Sequence, residues 1–189
     1  MRALLTILLL MSAPAPAQQV AAPSPAQPAA AEGPTSKPSA EGPTSKDAVK
    51  YRSGLPVPRF ASLRAGRAYM RAGPGKEYPV TWEFVRPGTP LEVVSEWNVW
   101  RKVRDADGTV GWMDRAMLST DRTIQITRQM RELRARPDLS SPIVLRAEPG
   151  VVMRVTMCAQ RWCRVEGQGR SGYILSEHGF GVYPNEIIG

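Results

Sequence analysis

Pro87-Gly88 stands thirteen residues before Trp100-Arg101-Lys102-Val103, and Pro149-Gly150 stands thirteen residues before Trp162-Cys163-Arg164-Val165. The shift between the two stretches is 62 residues at both ends, so one pattern is written twice. Outward from it, Met70-Arg71-Ala72 matches Leu133-Arg134-Ala135, and Tyr78-Pro79-Val80 matches Ser141-Pro142-Ile143. Gly111-Trp112-Met113 matches Gly172-Tyr173-Ile174, with one residue fewer in the intervening turn. Anchors that keep one order divide the chain into two units, predicted over 58–120 and 121–189.

Each unit reads as strand and turn. Leu91 and Val93 alternate with Glu92, and Val151, Met153, Val155 and Met157 alternate with neighbours such as Arg154 and Thr156, the period of a strand buried on one face. Asp107-Gly108 between Val103 and Val110 has the composition of a hairpin turn, and Gly167-Gln168-Gly169 supplies the same conformational freedom in the second unit. Thr127 to Arg136, with arginine at 128, 131 and 134, has a spacing that also suits a helix. Its alignment with Arg64 to Met70, and the Pro137 that closes it, predict an extended segment instead. Short strands at this spacing predict an all-β chain, a small barrel or sandwich in each unit.

No such pattern precedes Pro58. Arg2, the apolar run Ala3 to Met11 and then Ala15-Pro16-Ala17 predict a signal peptide over 1–17, cleaved after Ala17, and a periplasmic or secreted protein. The apolar run falls short of the ~20 residues that span a bilayer, so no stable membrane insertion is expected. Residues 18–57 are mostly Ala, Pro, Ser and Gly, with no aromatic residue before Tyr51, and predict a disordered linker with too little apolar surface to offset the entropy of ordering it. A duplication of seven residues at a spacing of nine inside it, Ala31-Glu32-Gly33-Pro34-Thr35-Ser36-Lys37 and Ala40-Glu41-Gly42-Pro43-Thr44-Ser45-Lys46, reads as a replicated spacer.

Charge follows the same division. Of the net +8, the residues from Tyr51 onward carry 21 bases against 14 acids, and all but two of those bases are arginine. Export argues against nucleic acid as the partner and for an anionic envelope polymer or an acidic protein face. One His and two Cys exclude multi-His and four-Cys metal centres, so neither a metal nor a cofactor is expected.

The ordered set Met70-Arg71-Ala72-Gly73-Pro74-Gly75, Tyr78-Pro79-Val80, Pro87-Gly88, Trp100-Arg101-Lys102-Val103, Asp107-Gly108 and Gly111-Trp112 resembles bacterial Src-homology-3-like (SH3-like, SH3b) domains, above all the exported tandem form of alphaproteobacteria. The second unit departs from it: Arg136-Pro137-Asp138 replaces the Gly-Pro-Gly turn, and Tyr173 replaces Trp112. The ending Gly181-Val182-Tyr183-Pro184 is similar to the terminus of that tandem group. The resemblance covers Pro58 to Gly189. It implies two tandem five-stranded SH3-like barrels with non-catalytic binding roles in the cell envelope, toward peptidoglycan or envelope proteins.

Cys158 and Cys163 flank Ala159-Gln160-Arg161-Trp162 at the tip of a predicted hairpin. In an exported protein such a pair is expected as a disulfide, provided that both Cβ atoms lie on a compatible side of the ladder. Catalysis finds no footing. A cysteine nucleophile needs a thiolate activated by a nearby base, and His178 in Ser176-Glu177-His178-Gly179 reads as an exposed turn residue. Nothing in the spacing selects two of Glu83, Glu92, Glu96 and Asp114 for glycoside cleavage. No catalytic residue is therefore assigned, and a cell-wall hydrolase is the weakest of the functional readings.

Binding is better supported by the aromatic residues of the first unit. Trp82 and Trp97 have no aromatic counterpart in the second unit, which marks them as surface rather than core. Tyr78 before Pro79 offers a ring to stack on a sugar or a proline, and Arg71 offers a fork for a ligand carboxylate. These four residues form the predicted ligand groove. The function expected is a non-catalytic periplasmic module that recognises peptidoglycan or an envelope protein; a scaffold or assembly factor contacting only proteins is the alternative. The oligomeric state is not legible from the residues.

Overall fold

The computed structural model describes residues 53–64 and 66–189. The expected signal peptide over 1–17, and the expected linker up to residue 52, lie outside the described residues. Ser53, within the expected linker, is held to the first barrel: its N–H and its hydroxyl donate to the Glu96 carboxylate at 2.7 and 2.8 Å.

The repeat in the sequence is a repeat in the fold. One sheet contains β1 (Arg59–Leu63), β2 (Ala68–Arg71), β3 (Val80–Phe84), β4 (Pro90–Trp97), β5 (Trp100–Arg104), β6 (Val110–Asp114) and β7 (Leu118–Ser119), in the order β3-β2-β6-β5-β4-β1-β7. The other contains β8 (Thr123–Ile126), β9 (Arg131–Arg134), β10 (Ile143–Ala147), β11 (Val152–Ala159), β12 (Trp162–Gly167), β13 (Arg170–Leu175) and β14 (Gly179–Phe180), in the order β10-β9-β13-β12-β11-β8-β14. Place for place the two orders are the same. Each sheet counts seven strands where the resemblance implies five, in part because the chain re-enters the sheet at its end: the two-residue β7 pairs with β1, and the two-residue β14 with β8.

Local chemistry explains the turns. Arg104 pairs with Val110, and between them the Asp105 carboxylate accepts the N–H groups of Asp107 and Thr109 at 3.0 and 2.8 Å while Gly108 takes φ +88°. Gly167 pairs with Arg170 across Gln168 and Gly169, both at positive φ, the mirror-image turn that matches strand twist. Within the segment 127–136 no helix forms: Arg131–Arg134 is strand β9, preceded by a bend in which Arg128 takes φ +66°.

Each barrel has its own core, built on Met70, Leu91, Val103 and Met113 in the first and on Ile124, Leu133, Val165 and Ile174 in the second. One expectation is corrected here. Met157 does not continue the inward phase of Met153 and Val155: the register shifts between Val155 and Met157, leaving Met157 42% exposed and turning Cys158 into the core at 3%. A bulge adds one residue to one strand, and with a side-chain period of two this reverses every face beyond it.

That reversal decides the disulfide. Cys158 and Cys163 lie directly opposite each other in the β11–β12 ladder, with Cα atoms 4.1 Å apart, and are bonded. They sit one rung inside the tip, because Ala159 pairs with Trp162 and only Gln160 and Arg161 form the turn. Both are buried, so the bond closes a loop and fills core at once. Reducing it is expected to cost about 2 kcal/mol of stability on the chain-entropy account. Urea titrations with and without dithiothreitol check this; coincident midpoints would refute it.

The barrels touch through specific groups. The Ser62 hydroxyl donates to the Asp121 carbonyl at 2.6 Å, and the Thr123 hydroxyl to the Gly88 carbonyl at 2.6 Å. Phe60 of the first barrel meets Phe180 edge-on at 5.0 Å and Tyr183 at 4.6 Å, with the Arg122 guanidinium 5.8 Å from the Phe60 ring centre. Glu92, whose alternation with Leu91 and Val93 predicts an outward side chain, is 4% exposed. It accepts the Tyr183 hydroxyl at 2.8 Å and pairs with Arg104. The C-terminal segment covers the face that β4 would otherwise show to solvent.

Candidate functional site

The loop between β2 and β3 is shaped from within. Arg71 is half-buried, and its Nη1 donates to the carbonyls of Lys76 and Tyr78 at 3.1 and 2.7 Å. A Cβ added to Gly73 would lie 2.4 Å from Tyr78 Cδ1, so glycine is what lets the Tyr78 ring lie against the backbone. Arg71 therefore organises the loop that carries Tyr78, and Tyr78 itself is 41% exposed.

Trp82 follows on β3 and is 53% exposed, its ring 6.5 Å from that of Phe84 in an edge-on arrangement. Both line a cavity of about 280 Å³ that runs to the Asp105–Asp107 turn and reaches Gln125 of the second barrel. β3 ends its sheet, with β2 as its only hydrogen-bonded neighbour among the described residues. An exposed indole, an open strand edge and an acidic turn thus share one side of the molecule.

Trp97 is placed elsewhere. It pairs with Trp100 at the start of β5, whereas the Trp82 cavity lies against the turn that follows Arg104 at the other end of that strand. Five residues of strand separate the two ends by roughly 16 Å. The four predicted groove residues therefore divide: Arg71 and Tyr78 share a loop, Trp82 lines the cavity with Phe84, and Trp97 stands beside the Glu96 network. Burial alone would raise the Glu96 pKa. Hydrogen bonds from Ser53 and Arg59 and the charge of Arg101 more than offset it and hold the carboxyl below its ordinary value.

His178 also departs from its expected place. It is half-buried, not an exposed turn residue, because Trp162, Leu175 and Arg131 gather around it. Burial, and then the charge of Arg131, lower its pKa, so the imidazole is neutral at pH 7. This environment was invisible in the sequence around Ser176-Glu177-His178, because the residues that make it come from other strands.

The family model for the bacterial SH3 domain matches residues 64–120 and 128–178, together more than half of the 189 residues. No curated protein matches the chain. Among solved structures it is similar to NlpC1 from Trichomonas vaginalis, at 14% identity over 69% of this chain and 48% of that one, TM-score 0.30. It is likewise similar to an NlpC/P60 family protein from Bacillus cereus ATCC 10987, at 14% identity over 64% of this chain and 55% of that one, TM-score 0.30. The chain spans about half the length of these proteins. Bacterial SH3 domains are typically binding modules rather than catalysts. With one match on each of two sheets that share a strand order, the chain belongs to the bacterial SH3 domain family.

Proposed function

We propose that this protein is an exported, non-catalytic recognition module that grips peptidoglycan through the first barrel, with Trp82 as the stacking residue. The observation that carries this reading is the half-exposed Trp82 indole, which lines a cavity together with the buried Phe84. An amphipathic ring in that position gives a sugar face a flat apolar partner, with polar turn residues beside it for hydroxyl groups. The excess of arginine supports an anionic polymer as the wider partner. Arg71 and Tyr78 serve by fixing the loop next to β3.

A second reading rests on the open edge of β3. A strand with one free side accepts an extended peptide by main-chain pairing, which suits a scaffold that contacts only envelope proteins.

Co-sedimentation of the chain with purified sacculi at low and high salt separates the two. Wall recognition predicts retention that survives high salt, falls about fivefold in Trp82→Ala, and is unchanged in Trp97→Ala. Because Trp82 is largely in solvent, its replacement leaves the melting temperature in place. Retention that disappears with salt and ignores Trp82 would refute the stacking role, and absence of retention at both salt concentrations would favour the protein-only reading.

A further inference from the structure

We propose that the second barrel carries a separate site, centred on Arg131, for a peptide end that bears a free carboxylate next to a small apolar side chain. This goes beyond the Trp82 reading and does not depend on it. The two barrels repeat strand for strand, so β9 superposes in order on β2, and Arg131 occupies the place of Ala68. Ala68 is 1% exposed, a methyl group in the core. At the same place in the second barrel a guanidinium stands half-buried, and its side chain makes no ion pair or hydrogen bond among the described residues.

Burying a cation costs free energy unless a partner compensates it. The other two arginines of its cavity are compensated: Arg134 pairs with Glu132 at 2.6 Å, and Arg146 reaches the same carboxylate at 3.4 Å. Arg134 further donates to the Ser141 carbonyl at 3.0 Å. Arg131 is the one without a counter-ion, and it lines a cavity of about 320 Å³. The charged side chains of that cavity are three arginines and the one carboxylate that two of them share, so its lining carries a net charge of +2. Neutral His178 adds no further charge and keeps Nδ1 without a partner.

The rest of the lining selects the ligand. Trp162, Leu139, Leu175 and Met130 form an apolar wall beside the arginines, and Leu139 and Met130 are 66% and 52% exposed. A bare inorganic anion would leave that wall wet, whereas a carboxylate joined to a small apolar side chain satisfies both halves. A planar fork facing a carboxylate is also the pairing for which guanidinium geometry is best suited.

The test uses the untagged full chain and the C-terminal end of a short peptide. His178 is the single histidine of the sequence, so its imidazole resonance reports on the cavity without ambiguity. N-acetyl-L-alanyl-L-alanine stands for the end of a protein chain and N-acetyl-D-alanyl-D-alanine for the end of a wall peptide. Each is compared with its C-terminal amide and with inorganic phosphate. Saturable movement of the His178 resonance by at least one of the two acids, but not by its amide, supports the site, and the tighter stereoisomer identifies the source. Arg131→Gln should weaken that binding about tenfold or more, and the rim variant Arg146→Gln about threefold, with both proteins folded by their amide spectra. Amides or phosphate that match the acids, no movement with either acid, or binding that Arg131→Gln and Arg146→Gln leave unchanged would overturn the proposal.

Discussion

Gly181→Ala is expected to cost about 3 kcal/mol or more, enough to leave a small domain barely folded. A Cβ at that position would lie 2.0 Å from the Thr123 carbonyl oxygen and 3.0 Å from Pro90 Cβ. The first of these is backbone, so no flexible side chain can move aside. Gly181 also sits at φ +131°, a conformation that side-chain-bearing residues rarely adopt. The clash is propagated by what is attached: the Gly181 carbonyl accepts Arg122 Nη2 at 2.9 Å, and the same guanidinium holds Glu186 at 2.6 Å. Displacing the segment therefore loosens the rings of Phe180 and Tyr183 from Phe60. Gly169→Ala separates conformational strain from collision. Its φ is +71°, yet no atom lies within 4 Å of the added methyl group, so about 1 kcal/mol is expected there. Urea denaturation followed by tryptophan fluorescence measures both. Equal losses in the two variants would show that Gly181 is retained for backbone freedom alone.

How far the fold was legible depends on the kind of signal. Repetition and turn chemistry are written locally, and so Pro87-Gly88 with its copy at Pro149-Gly150, the Asp107-Gly108 turn and the extended β9 could be read directly. Phase within a strand could not. The bulge after Val155 leaves no mark in composition, and it moves Met157 outward and both half-cystines inward. Glu92 reads as a solvent-facing partner of Leu91 and Val93 because the residue that covers it, Tyr183, is 91 positions away.

The site was legible in the same uneven way. The missing aromatic counterpart picked out Trp82 correctly as exposed, because comparing the units separates what both cores need from what one surface adds. The same comparison, taken to charge instead of aromaticity, sets Arg131 against Ala68, and it is the signal through which the second-barrel cavity could have been found. What the comparison lacks is distance along a strand. Trp97 satisfies the same rule as Trp82 and stands at the opposite end of β5 from its cavity. Arg71 is spent on two carbonyls of its own loop, a role that residue type alone does not reveal.

Glu92→Ala is expected to lower stability by about 3 kcal/mol and to uncouple the C-terminal segment from the first barrel. The carboxylate is 4% exposed, receives Arg104 Nε at 2.9 Å within the β4–β5 ladder, and accepts the Tyr183 hydroxyl at 2.8 Å from the second barrel. Removing one partner of a buried, charge-assisted network leaves the other groups dry and unpaired. Arg104 is about half in solvent and recovers hydration, so the larger share of the loss falls on Tyr183. Tyr183→Phe removes only the hydroxyl and should cost about 1 kcal/mol. If the contact joins the barrels as described, the double variant loses about 1 kcal/mol less than the sum of the single ones. Alkali gives an independent check. Burial, and then the hydrogen bond to Glu92, raise the Tyr183 pKa above its ordinary value of 10.0. The folded chain therefore keeps a proton that the unfolded chain releases. That contribution is complete below pH 10 and is lost as pH rises beyond it. Tyr183→Phe should flatten this alkaline decline, and additive losses together with an unchanged decline would mean that the two barrels fold without regard to each other.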